Sequence, residues 1–200
     1  MKTENKNAVI SAVVTAAFAI GLLLTGAGIG DSKPAFAGGP YMGRVVDSET
    51  GRPLEGAVVL AVWELEVPLP AGTAHEFLDA EEVLTDGEGR FAVGRNALRG
   101  LNPWKVGGPD LTIYYPGYGF YPRYHVSPKI PIFGGTPEIV KRMEKEEVTI
   151  ELPSLKTRED RIRVLGGVIR HSVPDEKMPN LLRLLNLERK RLGFAPTHTN

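Results

Sequence analysis

The stretch from Tyr41 to Phe91 constrains this chain most: MGRVVDSETGRPLEGAVVLAVWE opens it, and LTDGEGRFAV closes it after an interruption. Each half sets a Gly/Pro/Asp turn beside a short apolar run, the signature of small antiparallel strands. Tyr41–Asp47 alternates apolar and polar residues, and Ser48-Glu49-Thr50-Gly51-Arg52-Pro53 supplies a turn in which Gly51 is free to take positive φ. Ala57–Trp63 is nearly continuous in apolar side chains, as expected of a strand buried within a sandwich. The segment from Glu64 to Ala80, with its prolines and Gly72, reads as an enlarged loop.

Glu81–Thr85 and Arg90–Val93 flank Asp86-Gly87-Glu88-Gly89 as a hairpin. Leu111–Tyr115 reads as a strand ending at Pro116-Gly117-Tyr118. Glu147–Leu152 places Val148, Ile150 and Leu152 on one face, and is expected to close the sheets. Between these, Gly119–Met143 carries Pro122, Pro128, Pro131 and Pro137, so it reads as an excursion with one short edge strand near Tyr124–Val126. The expected class is mainly β, an antiparallel β-sandwich over residues 41–153 followed by a helical extension over 154–200.

In that extension Ile162, Leu165, Val168 and Ile169 recur at helical spacing behind Thr157 as a candidate N-cap. Pro179 opens a second helix with Leu181, Leu182, Leu184, Leu185 and Leu192 along it and Gly193 as its stop. Amphipathic helices usually bury their own apolar face, so packing on the sheets is the favoured reading. The sharper one makes Leu181, Leu184 and Leu185 a partner-docking surface. Arg183, Arg189, Lys190 and Arg191 also permit membrane-surface contact, with Glu188 diluting their charge.

The first residues have another character. Lys2 and Lys6 precede an apolar run of 17 residues, Ala8 to Leu24, and Ala35-Phe36-Ala37 follows. A basic start, an apolar middle and an A-x-A ending describe a secretory signal peptide over residues 1–37. Extended to Ile29 the run reaches 22 residues, so an uncleaved membrane anchor is the alternative. Either reading exports the rest, to the periplasm or the cell exterior, with membrane contact only through an uncleaved segment. Cleavage after Ala37 leaves 163 residues with 21 basic and 22 acidic side chains, a formal charge of −1. That balance gives no electrostatic case for nucleic acid. Zero cysteines excludes disulfides, thiolate metal sites and a cysteine nucleophile.

The residues GRVVDSETGRPLEGAVVLA, LTDGEGRFAV and LTIYYPGYG together resemble the carboxypeptidase regulatory-like domain, over about Met42 to Leu152. Asp47, Thr50, Gly51, Pro53, Leu54, Gly56 and Ala57 fit its first turn element; Thr85, Asp86, Gly89 and Phe91 fit its hairpin, and Gly117 and Tyr118 its later strand end. The resemblance implies a transthyretin-like, carbohydrate-binding-like sandwich of about seven strands. It implies a noncatalytic accessory or adhesive module. The longer Glu64–Ala80 segment and the helical tail depart from the family pattern.

Catalytic patterns are missing from the sequence. His75-Glu76 lacks the HExxH spacing, His125, His171 and His198 are scattered, and Ser127, Ser154 and Ser172 lack a G-x-S-x-G setting. Asp79, Asp86 and Glu88 fall short of a calcium loop, and Asp86 reads better as a turn residue. Gly26, Gly28 and Gly30 have no strand-to-helix context for a nucleotide. No enzyme, metal or cofactor is expected. Trp104, Tyr114, Tyr115, Tyr118, Phe120, Tyr121 and Tyr124 crowd into 21 positions, and strand alternation sends Tyr114 and Tyr115 to opposite faces. Among them Tyr118, Tyr121, Arg123 and Tyr124 are the candidate binding residues, for a protein of the envelope or for a glycan.

Overall fold

The computed structural model describes residues 40–70, 72–94, 105–106, 108–126, 136–168 and 172–197, all within one compact unit, Phe36–Asn200. The chain is mainly β. Eight strands stand among the described residues: β1 (Tyr41–Asp47), β2 (Val58–Leu69), β3 (Gly72–Leu84), β4 (Arg90–Val93), β5 (Lys105–Val106), β6 (Asp110–Tyr114), β7 (Phe120–Tyr121) and β8 (Val148–Leu152). Three helices accompany them: α1 (Thr136–Met143), α2 (Arg158–Val168) and α3 (Pro179–Arg191), with a short 3-10 turn at Asp175–Lys177. The strands form a three-stranded sheet, β4-β1-β8, and a five-stranded sheet in which β3-β2-β6-β7 run in order and β5 also pairs β2.

One apolar core lies between the sheets. Val45, Phe91, Val93, Val148, Ile150 and Leu152 enter it from the three-stranded sheet, and Val59, Ala61, Trp63, Leu111, Ile113 and Tyr121 from the other. The expected alternation of β8 holds, since its three apolar residues all point into this core. The pairing of β8 differs from an antiparallel sandwich, because it runs parallel to β1, Gly43↔Val148 through Asp47↔Leu152. The chain leaves β1, visits the other sheet and returns through α1, and a crossover of this kind is what parallel neighbours require. Helix α1 was not legible as a helix in the proline-rich excursion. Pro137 sits in its first turn, where no intrahelical donor is lost, and Ile139, Val140 and Met143 complete the core.

Two further expectations change. The Glu64–Ala80 segment is not a loop: β2 and β3 form one long antiparallel ribbon, paired from Val58↔Leu84 to Leu69↔Gly72 with an irregularity at Trp63/Glu64. Pro68 stands beyond the reach of β6 and β5, where β2 has β3 alone as its described neighbour and the missing donor is tolerated. The short edge strand lies at Phe120–Tyr121, paired to Ile113 and Tyr114, rather than at Tyr124–Val126. At Gly119 an added Cβ would collide with the Tyr124 carbonyl, so glycine permits the chain to fold back directly after Tyr118.

The outer face of the five-stranded sheet is covered by α2 and α3. Val58, Leu60, Val62, Tyr114 and Phe120 meet Val164, Leu165, Val168, Leu181, Leu184, Leu185 and Leu192 there. Thr157 caps α2 as expected, accepting from the Asp160 amide at 3.1 Å. The α3 amides of Asn180 and Leu181 donate to the Glu82 carboxylate on β3 at 2.8 and 2.6 Å, so the sheet itself caps the helix. Leu181, Leu184 and Leu185 are buried in this layer, and a partner-docking role for them gives way to internal packing.

Candidate functional site

Three turn segments distant in sequence meet at one end of the sheets. The first begins where β1 ends. Asp47 Oδ1 accepts from the Glu49 and Thr50 amides at 2.7 and 2.9 Å, while the Asp47 backbone closes the turn, its N–H donating to the Arg52 carbonyl at 2.9 Å and its carbonyl accepting from the Gly51 N–H at 2.8 Å. The second is the Thr85 corner, whose hydroxyl donates to the Leu54 carbonyl at 2.5 Å and accepts from the Ala57 amide at 2.9 Å. The third follows β6. Tyr118 N–H returns to the Tyr115 carbonyl, and Leu155 N–H donates to the Gly117 carbonyl, tying this turn to the exit of β8.

Tyr118 joins the first and third segments, since its hydroxyl donates to Asp47 Oδ2 at 2.8 Å. Around that bond lies an open cleft of about 430 Å³ lined by Asp47, Thr50, Arg52, Pro53, Leu54, Glu55, Tyr115 and Tyr118. The rings of Tyr115 and Tyr118 meet edge to face at 5.5 Å. Thr50, Arg52, Pro53 and Glu55 are exposed on the rim, whereas Asp47 is only 8% exposed.

The charge of Asp47 is set by two opposing effects. Burial works to raise its pKa, and the bonds from the Thr50 backbone, the Tyr118 hydroxyl and the Glu49 backbone outweigh it, holding the carboxyl below 3.8. For Tyr118, burial and then the bond to Asp47 push the phenol up to about 12. Both groups thus keep their ordinary charge states at neutral pH, a carboxylate bonded to a neutral phenol. The cleft offers hydrogen-bonding groups of both kinds around two aromatic rings.

The four residues singled out from the sequence do not form one surface. Tyr118 lines the cleft. Tyr121 is fully buried between the sheets, because its register opposite Ile113 turns it inward, and its ring packs at 5.1 Å from His125. Tyr124 is half-buried with its ring at 5.3 Å from Phe120, in the layer under the helices, and Arg123 is exposed near Gly167. Tyr115 and Arg52 belong to the cleft and were missed. Tyr114 and Tyr115 do diverge: Tyr114 enters the helix-covered layer, and Tyr115 packs against the core between the sheets.

Other candidates resolve into local structure. Asp86 Oδ1 accepts from the Glu88 and Arg90 amides at 3.0 and 2.8 Å, and Gly89 (φ 74°) passes so close to the Val45 carbonyl that a Cβ there would collide. Asp79 pairs with Lys177 at 2.8 Å, and His75 stands 3.6 Å from Glu64. Trp104, Ser127, His171 and His198, like the apolar run Ala8–Leu24 and the Ala35-Phe36-Ala37 triplet, lie outside the described residues. Among the described residues no three His, Asp or Glu side chains converge as metal ligands, and no helix is long and apolar enough to cross a membrane. No family model, curated protein or solved structure matches the chain.

Proposed function

We propose that this chain is a noncatalytic, exported binding or assembly module whose sheet-end turns, rather than its tail leucines, meet an envelope protein partner. The observation that carries the reading is the cleft at Asp47 and Tyr118, where turns more than 60 residues apart are bonded into one open, rigid rim. A rim held by its own hydrogen bonds loses little conformational entropy on binding, which favours recognition. The two sheets with their shared core agree with a transthyretin-like sandwich of the carboxypeptidase regulatory-like kind. Of the residues fitted to that resemblance, Asp47, Thr50, Pro53, Leu54 and Tyr118 line the cleft. The leader-like start supports export, by a cleaved signal or a retained anchor.

A second reading, glycan binding, is favoured by the Tyr115–Tyr118 ring pair beside the exposed Arg52 and Glu55, which together present apolar faces with polar edges. One experiment separates the two. Affinity capture from the envelope fraction is run with the wild-type chain and with Arg52→Glu/Tyr115→Ala, beside a glycan array. Capture of a defined protein that the double variant loses supports the assembly reading. Glycan binding lost in the same variant supports the second, and indifference of both assays to the variant removes the cleft as a site.

A further inference from the structure

We propose that the outer face of α3, with the segment that follows it, is a docking surface for an anionic lipid bilayer. The inner stripe of α3 is committed to the sheet. Its outer positions Arg183, Leu187, Lys190 and Arg191 are exposed and are continued by Phe194; Leu187 is 39% and Phe194 38% exposed. Apolar side chains set among cations on one helix face are the pattern of helices that lie in the headgroup layer.

The structure removes the objection that Glu188 dilutes this charge. Glu188 is 2% exposed and points inward, its two oxygens accepting from Nε and Nη2 of the Arg161 guanidinium at 2.6 and 2.8 Å. At the same end of the helix pair, Arg158 and Arg189 lie over the Phe194 ring at 5.5 and 5.7 Å. Asp160, on the first turn of α2, is bonded to Thr157 and Arg163. The acidic residues of α2 and α3 are Glu159, Asp160 and Glu188, and with the last two engaged in these bonds, Arg158, Arg183, Arg189, Lys190 and Arg191 outnumber the one that is left. The surface is also held in shape before any contact. Phe194 N–H bonds the Arg189 carbonyl at 2.9 Å, Arg189 Nε the Ala195 carbonyl at 2.6 Å, Arg158 the Leu192 carbonyl at 2.9 Å, and Asn186 pairs with Thr197.

Charge complementarity selects the occupant. A second copy would bring the same cations face to face across a two-fold axis, whereas an anionic bilayer accepts the cations in its headgroups and Leu187 and Phe194 in its acyl boundary.

The chain contains no cysteine, so Leu187→Cys places a single environment-sensitive fluorophore on this face of the full-length protein. With phosphatidylglycerol-containing vesicles the label is expected to shift to the blue and to be quenched by brominated acyl chains. Salt of about 0.5 M, where the Debye length is roughly 4 Å, should reverse the shift. In an Arg183→Glu/Lys190→Glu/Arg191→Glu background, at roughly fivefold per cation lost, the lipid needed for half the shift should rise by about a hundredfold. Because depth at position 187 is read, insertion of the N-terminal run alone leaves the label in water, and that result overturns the proposal. So does an equal shift on pure phosphatidylcholine. A shift that grows with protein concentration without vesicles assigns the face to a second copy. A shift caused only by polyglutamate assigns it to an acidic protein, again overturning the lipid assignment.

Discussion

Strands β2 and β8 face the same core from opposite sheets, yet they are written differently. In β8 (Val148–Leu152) the apolar residues alternate with the exposed Thr149 and the half-buried Glu151, which face away from the core. In β2 the run Val58–Trp63 is apolar at every position, because Val59, Ala61 and Trp63 fill the inter-sheet core while Val58, Leu60 and Val62 lie under α2 and α3. A strand alternates when one face meets water and runs continuously apolar when both are buried. The difference shows that the helical tail is a third layer of the same structure rather than an appendage. It also moves the candidate site away from the tail leucines and to the uncovered turns at the sheet end.

Removing the third layer is the strongest way to break this comparison. A chain ending at Pro153 would expose Val58, Leu60, Val62, Tyr114 and Phe120, a contiguous apolar face that soluble monomers rarely tolerate. It is expected to aggregate or to bind a hydrophobic dye, and a soluble truncated chain with an unchanged melting temperature would refute the layer. Single substitutions sharpen the same contrast. Leu181→Ala, at a fully buried position, should lower stability by about 2–5 kcal/mol. Thr149→Ala on the uncovered face should change it by less than about 0.5 kcal/mol. Chemical denaturation of the two variants in parallel checks the difference, and equal effects would contradict it.

The smallest effect belongs to the cleft. The Asp47 carboxyl is held below its ordinary value, so its contribution to stability is complete above the unfolded value near 3.8 and is lost as pH falls through the lowered one. Melting temperature from pH 7 down to pH 2 should therefore drop less steeply for Asp47→Asn than for the wild type, and Tyr118→Phe, which removes one of the bonds that hold the charge, should lie between them. Parallel curves for all three would mean that the carboxylate does not link the turns.

Much of the layering was written in local pattern. Pro179 and Gly193 mark the ends of α3 because a first-turn proline and a positive-φ stop act within a few residues. Asp86 and Gly89 mark their turn for the same reason, but the turn carries the chain from β3 in one sheet to β4 in the other and so is not the expected hairpin. The misread parts depend on neighbours. Pro68 is compatible with a strand only because the described β2 has lost its second partner there, and Pro137 hides a helix whose Ile139 and Met143 find the core through tertiary packing. Tyr121 looked like Tyr118 in composition, and the register of a two-residue strand turned one inward and left the other on the cleft.

By itself, then, the sequence determined β1, the apolar first half of β2, β4, β6 and β8 with the turns beside them, the two tail helices, and the mainly β class, since periodicity, glycine φ and capping are short-range properties of the chain. Only the tertiary structure decided that β8 lies parallel to β1, that the leucines of α3 face the sheet, that Glu188 spends its charge on Arg161, and that Asp47 meets Tyr118. Those outcomes join residues 27 to more than 100 positions apart, and which distant surfaces bury each other follows from the packing of whole layers rather than from any local stretch of sequence.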